Sequence, residues 1–227
     1  MRLSIIVPVL NEAKIIVPAL ESLALLRARG HEVIVADGGS SDATPELARP
    51  LADRVVAAPR GRALQMNAGA ALASGGVLLF LHADTLLPPG ADDAVRDGLA
   101  RSGRHWGRFD VRIEGDEALL ALVSRLINLR SRATGIATGD QAIFVRREVF
   151  ERIGGFPELP LMEDISLCKR LKAESRPLCL AEVALTSGRR WREGGVLRTI
   201  ALMWWLRLQF FFGAAPSRLA RSYHGRS

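Results

Sequence analysis

The sequence predicts an α/β domain with a mostly parallel central sheet flanked by helices, followed by an apolar helical segment at the C-terminus. Three observations predict it. Short β-branched apolar runs alternate with helix-patterned stretches through the first hundred residues. Three of these runs lead directly into polar stations, at Asn11, Asp37 and Asp84. No linker, repeat or low-complexity tract divides the 227 residues, a length that suits one large domain.

The elements follow in order. Leu3–Val9 is rich in β-branched residues and reads as a buried parallel strand. The loop Leu10-Asn11-Glu12-Ala13 leads into a helix pattern with Pro18 near its first turn. Leu20, Leu23 and Leu26 share one face of it, and Gly30 ends it. Residues 32–36 form a second strand that runs out at Asp37. Thr44-Pro45-Glu46-Leu47 opens a helix, with Thr44 as N-cap and Pro45 at the first helical position. Arg54–Ala57 is a short strand, residues 62–73 an alanine-rich helix, and residues 77–81 a fourth strand ending at His82-Ala83-Asp84. Sheets of this type bind ligands beyond the carboxyl ends of their strands. Asn11, Asp37 and Asp84 therefore gather on one rim.

The second half is less regular. Trp106–Ile113 alternates as a strand, and residues 119–130 carry a helix pattern. Residues 142–145 read as a strand, followed by a helix from Arg147 that stops at Gly154-Gly155; another helix runs over residues 164–171. Residues 196–212 are strongly apolar and include Phe210, Phe211 and Phe212 in a row. Arg198 and Arg207 interrupt this stretch on opposite sides of a helix, at about 100° per residue. Its longest charge-free run is too short for a bilayer, which needs ~20 residues. Three readings stay open: a helix packed under the domain, a homodimer contact, or a segment lying on a membrane. Trp204, Trp205 and the basic Arg218, Arg221 and Arg226 favour the last.

Composition narrows the class. Apolar residues make up 48% and charged residues 24%, which excludes an intrinsically disordered chain. The net charge of +7 is carried largely by arginine, whose planar guanidinium suits bidentate phosphate contacts. Charge alone is equally compatible with solubility, nucleic acid or an anionic membrane surface. Cys168 and Cys179 offer neither a disulfide framework nor a zinc pattern and read as reduced core residues. Met1-Arg2 runs straight into the first strand pattern with no secretory leader, so a cytoplasmic protein is expected, with peripheral contact at the inner membrane face as one option.

Several residues carry candidate chemistry. Asp37 at a strand end can accept hydrogen bonds from a base or ribose, or simply form the turn before Gly38-Gly39. Arg60 and Arg62 flank the entry of the helix bearing Asn67, a place that suits a diphosphate. Asp84 stands just past the fourth strand, two residues after His82, a lone imidazole that could simply orient its surroundings. Asp164 opens a helix, where a carboxylate is favoured by the dipole whatever its role. Thr138-Gly139-Asp140-Gln141 is a polar turn, and Ser187-Gly188-Arg189-Arg190-Trp191-Arg192 is an unusually basic loop.

Four segments taken together resemble the family-2 glycosyltransferases of the nucleotide-sugar-binding GT-A fold. Ser4-Ile5-Ile6-Val7-Pro8-Val9-Leu10-Asn11-Glu12 is similar to that family's opening strand and nucleotide loop. Val35-Ala36-Asp37-Gly38-Gly39-Ser40-Ser41-Asp42-Ala43-Thr44 looks like its second strand and Asp-Gly-Ser turn. Leu79-Phe80-Leu81-His82-Ala83-Asp84-Thr85 stands in the place of its metal motif, with imidazole where the first carboxylate is usual. Met162-Glu163-Asp164-Ile165-Ser166-Leu167 is similar to its Glu-Asp motif. Order and spacing match, and the resemblance covers roughly residues 3 to 190. Further segments, among them Gly107-Arg108-Phe109-Asp110-Val111 and Thr134-Gly135-Ile136-Ala137-Thr138-Gly139-Asp140-Gln141, look like a short bacterial subfamily some of whose members are associated with arsenosugar biosynthesis.

The resemblance implies a domain over residues 1–195, with a nucleotide-binding half to residue 100 and an acceptor half beyond it, and a tail over residues 196–227. It implies that Pro8, Asn11, Glu12, Asp37, Gly38, Arg60, Arg62, Asn67, His82 and Asp84 surround a nucleoside-diphosphate sugar, UDP- or GDP-linked. Asp84 and His82 would serve a divalent metal, Mn²⁺ or Mg²⁺. Asp164 would be the general base, with Glu163 contacting the acceptor or orienting the loop. Gly139, Asp140, Gln141, Arg189, Arg190 and Trp191 would form the acceptor side or a lid. One base without a carboxylate nucleophile makes direct displacement with inversion the economical scheme, since hydrolytic glycosidases need two flanking carboxyl groups. No nucleic-acid partner is expected, and the acceptor is open. Competing readings are a nucleotidyltransferase, disfavoured because the first loop contains no glycine, and a non-catalytic sugar-nucleotide or membrane-surface binding module.

Overall fold

The computed structural model describes residues 1–115 and 117–224. Its first half winds as the periodicity predicts. β1 (Leu3–Val9), β2 (Glu32–Asp37), β3 (Arg54–Ala57) and β4 (Val77–Phe80) are parallel, with β2 and β3 on one side of β1 and β4 on the other. The chain moves outward to β3, then returns to lay β4 against β1. That reversal opens a crevice between the carboxyl ends of β1 and β4, the usual ligand position in open α/β sheets.

The second half extends the same sheet past β4. β5 (Thr85–Leu86), β6 (Trp106–Ile113), β7 (Phe144–Arg146) and β8 (Leu178–Thr186) continue the order as β4-β7-β6-β8-β5. β7 is antiparallel to both neighbours, β8 is parallel to β6, and β5 is antiparallel to β8. The sheet is therefore mixed, with parallel pairs in the majority.

Helices cover both faces. α1 (Ile16–Glu21), α2 (Ala24–Ala28), α3 (Thr44–Ala48) and α5 (Ala91–Ser102) pack on the face to which β1 sends Ile5, Val7 and Val9. α4 (Arg62–Ala71), α7 (Arg147–Arg152) and α8 (Glu163–Glu174) pack on the opposite face around Ile6, Ile34, Leu78 and Phe80. Successive side chains on a strand point to opposite faces, so an unbroken apolar strand serves both layers. α6 (Ala118–Thr134) lies along β6, where the Asn128 amide exchanges two 2.9 Å hydrogen bonds with the backbone of Val111 as a neighbouring strand would.

Several expectations need correction. The helix expected between Ala13 and Gly30 is two short helices, because Ser22 and Leu23 turn between α1 and α2; Leu20, Leu23 and Leu26 are nonetheless all buried. Thr44 is not an N-cap. It is the first residue of α3, and its hydroxyl instead accepts from Glu12 N at 2.8 Å and donates to Asp42. The strand expected over 142–145 begins only at Phe144, since Ala142 has φ +45°. β8, nine residues long, was not expected as a strand. Between Cys179 and Val183 it has two more residues than β6 has between Arg108 and Asp110, a bulge that shifts its register, and Ala181, Glu182 and Val183 are all exposed, so the period of two breaks.

Of the two cysteines, both free, only Cys168 is fully buried, and burial pushes its thiol up to about 12.

The C-terminal stretch is α10 (Val196–Phe211) followed by α11 (Pro216–His224). Thr199 and Leu206 of α10 are buried, and Leu206 packs with Met162, Ile165 and Leu219, so one edge of the tail belongs to the domain. Its other edge leaves Leu197, Trp204, Trp205, Leu208, Phe211 and Phe212 exposed. Arg218 and Arg221 are exposed on α11, while Arg226 lies outside the described residues. Among the described residues no helix is long and apolar enough to cross a membrane.

Gly107 marks the tightest strand contact. A Cβ there would stand 2.3 Å from the Leu178 carbonyl oxygen and 2.5 Å from Phe144 Cζ. The carbonyl belongs to the neighbouring strand and cannot rotate aside. Gly107→Ala is expected to destabilise the fold by about 1–3 kcal/mol, the usual range for overpacking, read as a lower denaturant midpoint. An unchanged midpoint would mean that β6 and β8 are not so closely apposed.

Candidate active site

The site forms where the β1, β2 and β4 loops meet the start of α8. The first two loops are laced together. Asn11, at φ +56°, donates its N–H to Ser40 Oγ at 2.8 Å, and its side-chain oxygen accepts from Ser41 N at 2.8 Å. Asp42 accepts from Ala13 N at 3.1 Å and from the Thr44 hydroxyl, whose bond holds its carboxyl below the usual range. Asp37 accepts from Gly39 N and Ser40 N, each at 3.1 Å, and from the Ser40 hydroxyl. These bonds make Asp37 the organiser of its own turn. Pro8 pairs with Ala36 beneath it, and the buried Gln65 binds the carbonyls of Val9 and Ala36 at 2.7 and 2.9 Å. Gly38 lies directly over that amide, where a Cβ would meet it at 2.9 Å.

Beyond β4 the chain presents His82 and Asp84. Asp84 is held by β8: Ser187 N donates to the Asp84 carbonyl at 3.0 Å, and Thr85 and Thr186 pair both as strands and through their hydroxyls, at 3.0 Å. His82 Nδ1 stands 3.2 Å from Asp140 Oδ1, while its Nε2 is buried without a hydrogen-bond partner among the described residues. The ring edge packs on Gly139, where a Cβ would come within 2.3 Å of Nε2.

The turn held by His82 reaches the next carboxylate. Gly139 N donates to Asp164 Oδ2 at 3.2 Å, and Ile165 N donates to Asp164 Oδ1 at 2.7 Å. Burial and the neighbouring Glu163 carboxylate push Asp164 up to about 6, against the pull of those two N–H groups and of Arg62. Glu163 is buried and lies 3.6 Å from the half-exposed Arg62 guanidinium. Burial pulls Arg62 down, but Glu163 and other acids nearby outweigh it and hold the guanidinium above its ordinary value.

Glu12 connects the strand-end rim to the basic segment after β8. Burial pushes its carboxyl up, Arg189 draws it down, and Asp84 and Asp42 push it up again. Arg189 and Asp84 thus both act on the Glu12 carboxyl. The segment expected as a loop is instead α9 (Arg189–Gly194), which carries Arg189 and the half-buried Trp191; the side chain of Arg190 lies outside the described residues. Arg60 is exposed at the turn before α4.

Some expected contacts are engaged elsewhere. Asn67 gives both ends of its amide to the Phe156 backbone, each at 2.9 Å, and so ties α4 to the loop before α8 rather than facing the rim. Gln141 is fully buried and closes its own turn, binding Thr138 N and Ser131 Oγ at 3.3 and 3.0 Å. Arg130 was not singled out as a site residue. It lines the same cavity as Asp164, its Nε and Nη2 have no hydrogen-bond partner among the described residues, and burial holds it below its ordinary value against the pull of Asp164. An arginine on a helix that also carries Arg125 and Arg132 gives little sequence signal.

The donor set suits a particular kind of metal site. Among the described residues no three His, Cys, Asp or Glu side chains stand close enough to hold an ion by themselves. Asp84 therefore suits an ion completed by substrate phosphates and waters, the habit of Mg²⁺ and related hard ions at diphosphates.

A sheet reversed between β1 and β4, a carboxylate just past β4 and a second carboxylate opening the facing helix are arranged as in the GT-A fold. The chain belongs to glycosyl transferase family 2, whose family model matches residues 4–154. It is 31% identical over 173 residues to a PGL/p-HBAD biosynthesis glycosyltransferase found in Mycobacterium tuberculosis and Mycobacterium bovis; the match covers 67% of this chain and 62% of that protein. Similar solved structures include S. aureus TarS 1–349 in complex with UDP-GlcNAc, at TM-score 0.66 and 20% identity over 82% of this chain and 58% of the other. The mannosyltransferase PcManGT from Pyrobaculum calidifontis, in complex with GDP-Man and Mn2+, superposes at TM-score 0.60 and 22% identity over 81% and 56%. Mannosyl-3-phosphoglycerate synthase from Rubrobacter xylanophilus does so at 0.61 and 18% over 94% and 75%. At these identities the likeness is one of fold.

Proposed function

We propose that this chain is an inverting glycosyltransferase that moves a sugar from a UDP- or GDP-linked donor to an acceptor hydroxyl. The observation that carries the reading is Asp164. It is held by two backbone N–H groups, pushed up to about 6, and lines one cavity with Asp84 and Arg62. A carboxylate that ionises just below neutral pH is well matched to removing a hydroxyl proton. Family membership supports sugar transfer, and fold neighbours bound to UDP-GlcNAc and GDP-Man support a nucleotide-sugar donor.

The roles follow from position. The loops of Pro8, Asn11, Glu12, Asp37 and Gly38 cradle the nucleoside. Arg60, Arg62 and Arg189 bring positive charge to the diphosphate, and Glu163 aims Arg62 by their ion pair. Asp84 is the protein ligand for Mn²⁺ or Mg²⁺, and the ion when bound supplies Lewis-acid stabilisation of the departing diphosphate. His82 positions the turn of Gly139 and Asp140, and through Gly139 N it fixes Asp164. The acceptor oxygen attacks the anomeric carbon as the bond to the diphosphate breaks on the opposite face, and the hydroxyl proton passes to Asp164. The narrower resemblance to the arsenosugar-associated subfamily names no acceptor by itself.

Calorimetry with a panel of UDP- and GDP-sugars tests the donor assignment. Saturable binding of at least one of them, strengthened by Mn²⁺, is expected. Binding of none would remove the donor assignment.

A further inference from the structure

The cavity that ends at Asp164 has about 420 Å³ and two unlike ends. At one end stand Asp84, Asp140, Asp164 and Arg62. Its other walls are mainly apolar, with Val123 and Ile127 of α6, Ile200, Met203 and Leu206 of α10, and Trp191 of α9, interrupted by Arg130 of α6 and Arg207 of α10. Two separate apolar clusters back those walls. Ile127, Trp191 and Ile200 pack on Ile113, Leu120 and Val123, while Leu206 packs with Met162 and Ile165. α10 thus roofs a chamber whose polar floor is the proposed catalytic centre.

The volume falls in the ordinary range of small-molecule sites, about 300–1,000 Å³. The donor needs only the polar end of this chamber, where Arg62 and Asp84 stand, because the polar loops of β1 and β2 offer a nucleoside its hydrogen bonds outside it. A purely polar acceptor does not suit the rest of it. A sugar pressed between Val123, Ile127, Ile200 and Met203 would find only the two guanidinium groups of Arg130 and Arg207 beside it, which cannot partner most of its hydroxyls, and each such loss is costly. The polar end accepts a hydroxyl, and the walls accept hydrocarbon. We propose that the acceptor is amphipathic, with one hydroxyl presented to Asp164 and an apolar acyl, prenyl or aryl body lodged between α6 and α10.

This inference rests on the glycosyl-transfer reading, which makes Asp164 the end at which the hydroxyl reacts. The balance of the step is unchanged: the acceptor oxygen joins the anomeric carbon, the nucleoside diphosphate leaves with the electron pair, and the proton goes to Asp164. Access is provided by Leu126 and Leu129 of α6 and Trp204 of α10, which line the cavity and are also 55%, 63% and 67% exposed. The mouth therefore opens beside the exposed apolar edge of α10. An acceptor drawn from a bilayer and one drawn from solution would both enter there.

The test measures binding of methyl, hexyl and octyl β-glucoside monomers to the full chain, read by calorimetry and by the fluorescence of Trp191 and Trp204. One-site binding is expected to tighten by about threefold to fourfold per added methylene, the burial increment of one CH₂, with no saturable binding of the methyl glucoside. Ile127→Arg should weaken the octyl glucoside at least tenfold. Leu129→Asp, at a position already exposed, should weaken it without risk to folding, and melting curves of both variants report on the fold. Affinity independent of chain length, or octyl glucoside binding indifferent to Leu129→Asp, overturns the proposal. Co-sedimentation with phosphatidylcholine–phosphatidylglycerol vesicles assigns the acceptor to the bilayer, and its absence assigns it to solution; either result supports the amphipathic class when the chain-length series holds. The alkyl glucosides are read without any nucleotide, so a failed donor assignment appears separately, as nucleotide sugars that do not bind.

Discussion

Asp164→Asn is expected to lower the rate of sugar transfer by about 10²–10⁴-fold, the range contributed by a positioned general base, while leaving donor binding in place. An amide keeps the shape of the carboxylate, but its single oxygen accepts from only one of Gly139 N and Ile165 N, which bind different carboxylate oxygens, and it cannot take a proton. The pH profile sharpens the expectation. With Asp164 pushed up to about 6, the native rate should rise through that pH and level above it, and the rising limb should vanish in the variant. Stability should move the other way. A carboxyl whose folded value is raised favours the folded state while protonated, and that contribution is lost as pH rises from about 4 through 6. At pH 7 the native protein carries a buried charge that the variant lacks, at a cost on the order of 1–3 kcal/mol, but the variant leaves one backbone N–H without its acceptor at about the same cost. The expected difference therefore lies in the pH dependence: native stability falls between about pH 4 and 6 and that of Asp164→Asn does not. Full transfer activity in the variant would remove Asp164 from the base role, and the same pH dependence of stability in the native protein and the variant between about pH 4 and 6 would contradict its environment.

Asp84→Ala carries the second large effect. Loss of the carboxylate that holds the ion is expected to lower transfer by about 10²–10³-fold, the usual scale for removing one electrostatic stabiliser of a leaving group. Donor affinity should then no longer respond to Mn²⁺ or to its chelation, which calorimetry reads directly. His82→Ala separates positioning from ligation. Acting through the Gly139–Asp140 turn, His82 should move the pH limb of Asp164 and leave the Mn²⁺ response intact. A lost Mn²⁺ response would make the imidazole a ligand beside Asp84. An undiminished Mn²⁺ response in Asp84→Ala would move the ion elsewhere.

How far each element could be read follows from how local its cause is. The four parallel strands of the first half are short apolar runs whose burial on both faces is written into the residues themselves, and their ends placed Asn11, Asp37 and Asp84 on one rim before any contact was known. The Glu163-Asp164 pair was equally legible, because a short motif at a helix start needs no distant partner to be recognised. β8 was not legible. Its alternation fails at Ala181, Glu182 and Val183, where the bulge opposite Arg108 is set by the partner strand. The same holds for Asn67, Gln65 and Gln141. Each is a polar residue in a plausible place, and only the backbone that receives its amide reveals that it braces the site.

The C-terminal segment shows the same division. Apolar content alone left α10 as a packed helix, a dimer face or a membrane surface, since hydrophobicity states that a side chain prefers to leave water and not what will cover it. Packing supplied what periodicity lacked: Leu206 joins the domain, Trp204 stays exposed, and Ile200 and Met203 roof the cavity that ends at Asp164. Residue order thus carried the α/β class, the rim and the identity of the candidate base, because strand burial and motif spacing are local properties. Which polar groups brace the site, how Asp84 comes to lie against β8, and which face of α10 turns inward depend on residues far apart in the chain, and those contacts exist only once the sheet has closed around them.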